Sequence, residues 1–250
     1  MESVWGQGGE QLSESHMRYL SNREQLVCSD VVANSQMNRQ RRMRGANSYE
    51  RDLKFDLLKY LRLVCQREGR ARWLHICCGA GNALVEAADV TAAESLTVEI
   101  VGIDLVGRFC ANSEASRLQL MKSSVEDFQP TSSFDLITSV HGLHYLGDKL
   151  GIIATATSWL TPDGRCVGNL DAKNLQLHGH RTSEAIFRYL RSAGLSYSSR
   201  TKLLEYRERR ELAPPFEYLG ADDSAGPNYT GQAAINSHYA MQSKAAEKST

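Results

Sequence analysis

The chain has 250 residues, 42% of them hydrophobic and 23% charged, with 29 basic residues against 29 acidic ones. That length is enough to bury a core without disulfide staples. The zero net charge offers no electrostatic case for a nucleic-acid or membrane partner. Cys28, Cys65, Cys77, Cys78, Cys110 and Cys166 form no C-x-x-C pair, so neither a zinc site nor a disulfide framework is expected.

No run approaches the roughly 20 apolar residues of a membrane span. The polar start lacks a basic-then-apolar leader pattern, so a cytoplasmic protein with reduced thiols is expected. From Ser13 to about Met43 scattered apolar residues (Met17, Leu20, Leu26, Val27, Val31, Val32) suggest short helices packing one face. Arg39, Arg41, Arg42 and Arg44 read as a solvated helix face, with anion contact the minor alternative. Ser48 or Asn47 caps a helix expected from Tyr49 to about Arg67, where Leu53, Leu57, Leu58, Leu61, Val64 and Cys65 recur at helical spacing and Gly69 stops it.

Strand-like and helix-like segments then alternate. Residues 72–77 read as a strand, 83–93 as a helix, 97–103 as a strand ending at Asp104, and 118–123 and 134–139 as further strands. A helix is expected over 146–160, then a turn at Thr161-Pro162-Asp163-Gly164 and a strand over 165–170. A helix over 183–193 stops at Gly194. Strands over 203–207 and 216–219 flank Pro214-Pro215, which suits a hairpin at a sheet edge. The chain after Gln232 is expected to fray. Alternation of this kind implies a mostly parallel sheet covered on both faces, with ligands bound beyond the strands' carboxyl ends.

Two features sit at such ends. Gly79 and Gly81 follow the first strand and open a helix, where absent Cβ atoms let backbone approach a ligand. Asp104 ends the second strand, 23 residues beyond Gly81. An acid near that spacing accepts hydrogen bonds from ribose hydroxyls in nucleotide-binding βαβ units. Capping the next helix is its bland alternative.

From about residue 70 to 171 the chain resembles the class I S-adenosylmethionine-dependent methyltransferases. His75-Ile76-Cys77-Cys78-Gly79-Ala80-Gly81 is similar to that family's acidic-x-Gly-x-Gly-x-Gly loop, with His75 for the acid, Cys77 for the first glycine and Ala83 for the third. Asp104 matches the ribose-binding acid. Residues 123–128 fall at the adenine contact, with Ser124 where an acid is common. Residues 134–139 match the fourth strand, His141 to Leu146 the Leu-His motif, and Leu160 to Gly164 the turn that follows, with Arg165 where a second glycine often stands.

The resemblance implies a Rossmann-like three-layer αβα sandwich with a mostly parallel seven-stranded sheet and an N-terminal helical lid. It divides the chain into a lid (1–48), a cofactor domain (49–220) and a C-terminal extension (221–250). S-adenosyl-L-methionine is the implied cofactor. Its implied contacts are Tyr49 on the lid side and His75, Cys77, Cys78, Gly79, Ala80 and Gly81 in the loop. Asp104 and Leu105, then Ser124, Val125 and Glu126, and finally Ser139 complete them. His144 and His141 are candidate bases, since imidazole titrates near neutrality. Val140, Tyr145, Asp171 and Asn174 are placed to touch substrate. His178 and His180 lack metal-ligand spacing, so no metal is expected.

The implied activity is in-line methyl transfer, most simply to a small molecule. A non-catalytic cofactor-binding protein and a macromolecule methyltransferase are the alternatives. Asn-Pro-Pro-Tyr, common in base-amino methyltransferases, is absent, as is a basic patch with interleaved aromatics. Leu84 breaks the G-x-G-x-x-G pattern of nicotinamide-dependent dehydrogenases.

Overall fold

The computed structural model describes residues 25, 29–33, 40–109 and 117–242. Most of the helices expected between residues 13 and 43 therefore lie outside the described residues, as do Arg39, Cys28, Cys110 and the last eight positions. A short helix, α1 (Asp30–Ala33), precedes α2 (Tyr49–Leu53) and α3 (Leu57–Glu68). Then follow β1 (Ala71–Ile76), α4 (Asn82–Ala93), β2 (Val98–Asp104), β3 (Leu118–Lys122) and β4 (Phe134–Ser139). A 3₁₀ turn (Gly142–Tyr145) leads to α5 (Lys149–Ser158) and β5 (Leu160–Asn169). The chain continues through β6 (Leu175–Leu177), α6 (Glu184–Ser192), β7 (Ser196–Ser198), β8 (Leu203–Arg207), β9 (Phe216–Asp222) and β10 (Asn236–Met241).

Seven strands form one sheet in the order β3-β2-β1-β4-β5-β8-β7. β3, β2, β1, β4 and β5 run parallel, and β8 is antiparallel to both its neighbours. This is the α/β architecture expected, a mixed and mostly parallel sheet of seven strands. Its central strands β1, β2 and β4 are buried on both faces because both faces are covered. Trp73, Ile100 and Leu136 pack with Leu61 of α3 and Leu84 of α4. Their successors Leu74, Val101 and Ile137 point the other way, onto Ile153 of α5 and Ile186 and Leu190 of α6. Each fully buried side chain of this kind contributes about 1.5–3 kcal/mol.

Several local expectations need correction. The single helix expected over 49–67 is two helices. Lys54 turns left-handed at φ 58°, and Asp56 starts the second helix by accepting the Lys59 N–H at 2.8 Å. The arginine run is not a helix face between residues 40 and 48. Arg42 bridges Ser48 there, and Arg41 is buried in an ion pair with Asp52. The turn at 161–164 is a bulge within β5, because Phe134 pairs with Leu160 while Leu136 pairs with Arg165. The helix expected over 146–160 begins at Lys149, where the Asp148 carboxylate accepts the Gly151 N–H.

The hairpin across Pro214-Pro215 does not form. β8 stays in the large sheet, whereas β9 joins β10 and β6 in a separate three-stranded sheet. The segment expected to fray supplies its central strand. Ser237 and Tyr239 of β10 are buried, and the Tyr239 hydroxyl accepts the Leu150 N–H and donates to Asp148. Lys149 ties the two parts together, donating from a buried Nζ to the carbonyls of Leu146 and Ile235 and to Ser237 Oγ. The expected boundary at residue 220 falls inside β9. No helix among the described residues is long and apolar enough to cross a membrane.

Candidate active site

The order β2-β1-β4 puts the sheet's topological switch between β1 and β4, where two chain directions of winding diverge and leave a crevice. A cleft lies there, lined by Val32, Cys77, Gly79, Asp104, Leu105, Val106, Val140, Gly142, Tyr145 and Leu146. The loops after β1, β2 and β4 thus meet at one edge, with Val32 of α1 beside them.

The bend after β1 is left-handed at Cys77 (φ 58°), Gly79 (φ 60°) and Gly81 (φ 83°). Only glycine reaches that region without cost, so Cys77 stores strain of about 1–2 kcal/mol. A Cβ on Gly81 would stand 2.7 Å from Leu120, and one on Gly142 would stand 2.6 Å from the Cβ of Cys77. The loops after β1 and β4 are therefore packed in direct contact.

Asp104 is fixed from three sides. Its Oδ2 accepts the Gly79 N–H at 3.0 Å, and its Oδ1 accepts the N–H groups of Val106 at 3.0 Å and Gly107 at 3.2 Å. The carboxylate and the glycine bend share one side of the sheet edge, and both line the cleft. That is the placement a ribose-binding acid requires. Despite its cysteine, the loop keeps the shape of a glycine-rich one, and the adenosyl half of the cofactor fits the residues present.

The residue at the loop's acid position has a different character. His75 is fully buried, and burial holds its imidazole down to about 3. It is neutral and cannot replace a carboxylate facing an ammonium group. Its Nε2 lies 2.9 Å from the Tyr49 hydroxyl, and the two rings stack with centroids 4.6 Å apart. Its Nδ1 lies 2.6 Å from Thr138 Oγ1, which also accepts the Trp73 indole N–H at 2.8 Å. Burial raises the Tyr49 phenol well above its usual range, so this chain of bonds is uncharged.

The other expected contacts divide. Cys78 and Ala80 are buried beside the bend and do not line the cleft; Cys78 packs against β2, its N–H bonded to Ile103 O. Val125 is core. Ser124 binds Asp127 through its hydroxyl, and Glu126 is exposed, so this loop flanks the cleft without lining it. Ser139 Oγ is buried without a hydrogen-bond partner. Asp171 and Asn174 lie after β5, both buried. Asp171 caps the following turn and faces Lys202 at 3.7 Å, while Asn174 Oδ1 has no partner. His178 meets His238, and no cluster of three metal-ligating side chains occurs among the described residues.

The two candidate bases stand together beyond the cleft, with ring centroids 5.6 Å apart. His144 is fully buried, and neither ring nitrogen has a partner. Burial, reinforced by His141, Lys149 and Arg41, holds it well below its usual range. His141 adopts φ 58°, and its backbone N–H donates to Asn169 Oδ1 at 3.3 Å. Two of its neighbours have no counterpart among the expected site residues. The Tyr229 hydroxyl is 3.1 Å from Nδ1, and Asp52 Oδ2 is 3.5 Å from Nε2. Asp52 lies three residues beyond Tyr49, one helical turn on, which was the available signal for it. Tyr229 had none, because its loop reads as turn formers throughout.

A family model described as "Methyltransferase domain" matches residues 34–216, well over half of the chain. No curated protein matched. Among solved structures, the chain is similar to the N-methyltransferase NodS from Bradyrhizobium japonicum WM9, in complex with S-adenosyl-L-homocysteine. The two share 18% identity over 73% of this chain and 100% of that one, at a TM-score of 0.43. Magnesium protoporphyrin IX methyltransferase (ChlM) from Synechocystis PCC 6803, with bound SAM, shares 14% over 75% and 98%, at 0.45. CalS10, an amino pentose methyltransferase from Micromonospora echinaspora, shares 21% over 46% and 52%, at 0.34. At these identities and scores the likenesses say nothing of substrate.

Proposed function

Because the chain belongs to the S-adenosylmethionine-dependent methyltransferase family, we propose that its switch-point cleft holds the cofactor and that the acceptor is a small molecule. Asp104 receives the ribose hydroxyls. Cys77, Gly79 and Gly81 bring backbone close to the amino-acid portion, Leu105 and the loop of Ser124 to Glu126 flank the adenine, and Val140 and Tyr145 line the reacting end. The cofactor supplies a methyl group already activated on a sulfonium. What remains for the protein is to exclude water, align a nucleophile and accept its proton.

The observation that carries this reading is the Asp104 carboxylate held at the glycine bend by the N–H of Gly79. A small acceptor is supported by the burial of His141, His144, Asp171 and Asn174, which a large substrate would not reach. The lid role of residues 1–48 is supported by Val32 in the cleft lining and by Ser29, whose hydroxyl donates to Asp223 at 2.7 Å. Replacement of the family's acid by neutral His75 favours one second reading, a binder without turnover.

Calorimetry with S-adenosylmethionine tests the reading. Micromolar one-to-one binding is expected, weakened about a hundredfold, or about 2.7 kcal/mol, in Asp104→Ala. Equal affinity of the variant would remove the cofactor from this cleft. Transfer of a labelled methyl group to any acceptor separates an enzyme from a silent binder.

A further inference from the structure

Asp52 comes from α2, His141 from the loop after β4 and Tyr229 from the segment between β9 and β10, and the three meet around one imidazole. We propose that His141 is the general base of methyl transfer with Asp52 as its positioning residue, and that the acceptor is a neutral hydroxyl compound, a phenol or an alcohol. This rests on the cofactor reading given above. Its oxygen takes the place now held by the Tyr229 hydroxyl.

The imidazole is oriented before any substrate arrives. Its backbone is pinned by Asn169, and Asn169 Nδ2 in turn donates to the Asp52 carbonyl at 3.4 Å. With a carboxylate beside Nε2, the tautomer carrying its proton on Nε2 is the favoured one. The lone pair of Nδ1 then faces Tyr229, whose hydroxyl donates to it. His141 is 2% exposed, whereas Tyr229 is 42% exposed, so the phenol is the neighbour of the base that opens most to the surface. A phenolic hydroxyl already fits the position from which a base takes a proton.

Every charged or titratable group facing the imidazole agrees. Arg41 pairs with Asp52, leaving that pair neutral. His144 lies on the other side, with both nitrogens unpartnered in a buried site, which is itself a sign of a missing polar ligand. Tyr229 packs on both rings, with centroids 5.6 and 5.5 Å away. Burial holds His141 below its usual range, against the opposing pull of Asp52, so it is an unprotonated base at neutral pH. An ammonium acceptor would find no uncompensated carboxylate here, while a hydroxyl finds an acceptor nitrogen.

In the step, the hydroxyl oxygen forms the new C–O bond to the methyl carbon as the C–S bond breaks and its electron pair stays on sulfur. The hydroxyl proton passes to Nδ1, and the Asp52 carboxylate, 3.5 Å from Nε2, keeps the imidazolium oriented until the proton leaves to water.

Two measurements on the full chain test this. Histidine-labelled NMR titration of the protein alone should show the His141 pKa falling by about one unit or more in Asp52→Asn. No change overturns the dyad. Separately, tritiated-methyl S-adenosylmethionine is supplied with phenol, catechol, benzyl alcohol and benzylamine between pH 6 and 9. Label is expected in hydroxyl compounds, with kcat/KM reduced about a hundredfold or more in His141→Asn. Asparagine tolerates the left-handed backbone, and calorimetric cofactor affinity within about twofold of the parent shows that the fold and the cofactor site persist. In Asp52→Asn the acid limb of the rate profile should move to lower pH. Label in the amine alone, or in no hydroxyl compound while the cofactor binds, overturns the proposal. Failure of the parent chain to bind the cofactor overturns the cofactor reading instead.

Discussion

Cys77 occupies a backbone position that favours glycine, at φ 58° between β1 and Gly79. Cys77→Gly should therefore raise stability by about 1 kcal/mol, and Cys77→Val, β-branched and crowded against Gly142, should lower it by a similar amount or more. Urea unfolding midpoints measure both; equal midpoints would mean that the bend is unstrained. His75 makes a second prediction. Its folded value of about 3 lies below the unfolded value of about 6.5, so between them the unfolded chain binds the extra proton. The stability it confers is complete above about pH 6.5 and is lost as pH falls toward 3. His75→Gln should flatten that acid limb in unfolding curves taken from pH 7 down to 4, though His144, also buried neutral, keeps part of the slope. An unchanged limb would mean that His75 is accessible to protons. At this scale Asp104 was legible because a strand end, a turn and a spacing fix it locally. Tyr229 and Arg41 were not, because their partners lie 88 and 11 residues away and only the folded chain brings them together.

Strands that are apolar on both faces announce themselves, and the bounds of β1, β2 and β4 are legible in the sequence to within a residue or two for that reason. Short edge strands do not. β6 and β7 have three residues each, and β10 mixes polar and apolar side chains in a stretch that resembles a tail. The break between α2 and α3 was hidden in the same way, since leucine spacing continues across it while Asp56 restarts the helix. β10 is the element where a packed strand and a fraying tail differ most in energy. Tyr239 is 1% exposed and caps the start of α5 through its hydroxyl. Tyr239→Ala should cost about 3–5 kcal/mol, as for other large buried aromatics, whereas a fraying segment would show less than about 0.5 kcal/mol. Thermal unfolding of the variant against Tyr239→Phe distinguishes these outcomes and isolates the hydroxyl.

The whole molecule brings three loops of distant sequence to one edge of a seven-stranded sheet, with a second small sheet packed on the start of α5. The alternation of elements made the first of these legible. The second was not, because nothing local to Pro214-Pro215 says which sheet the next strand will join. The methyl-donor assignment depends on Gly79 and Asp104 cradling an adenosyl group at the β1–β4 switch. A crystal structure of the chain with S-adenosyl-L-homocysteine measures this directly. Ribose hydroxyls are expected within hydrogen-bond distance of the Asp104 carboxylate, with the sulfur on the side of the cleft nearest His141. Ligand density elsewhere, with Asp104 bonded only to its own backbone, would contradict it.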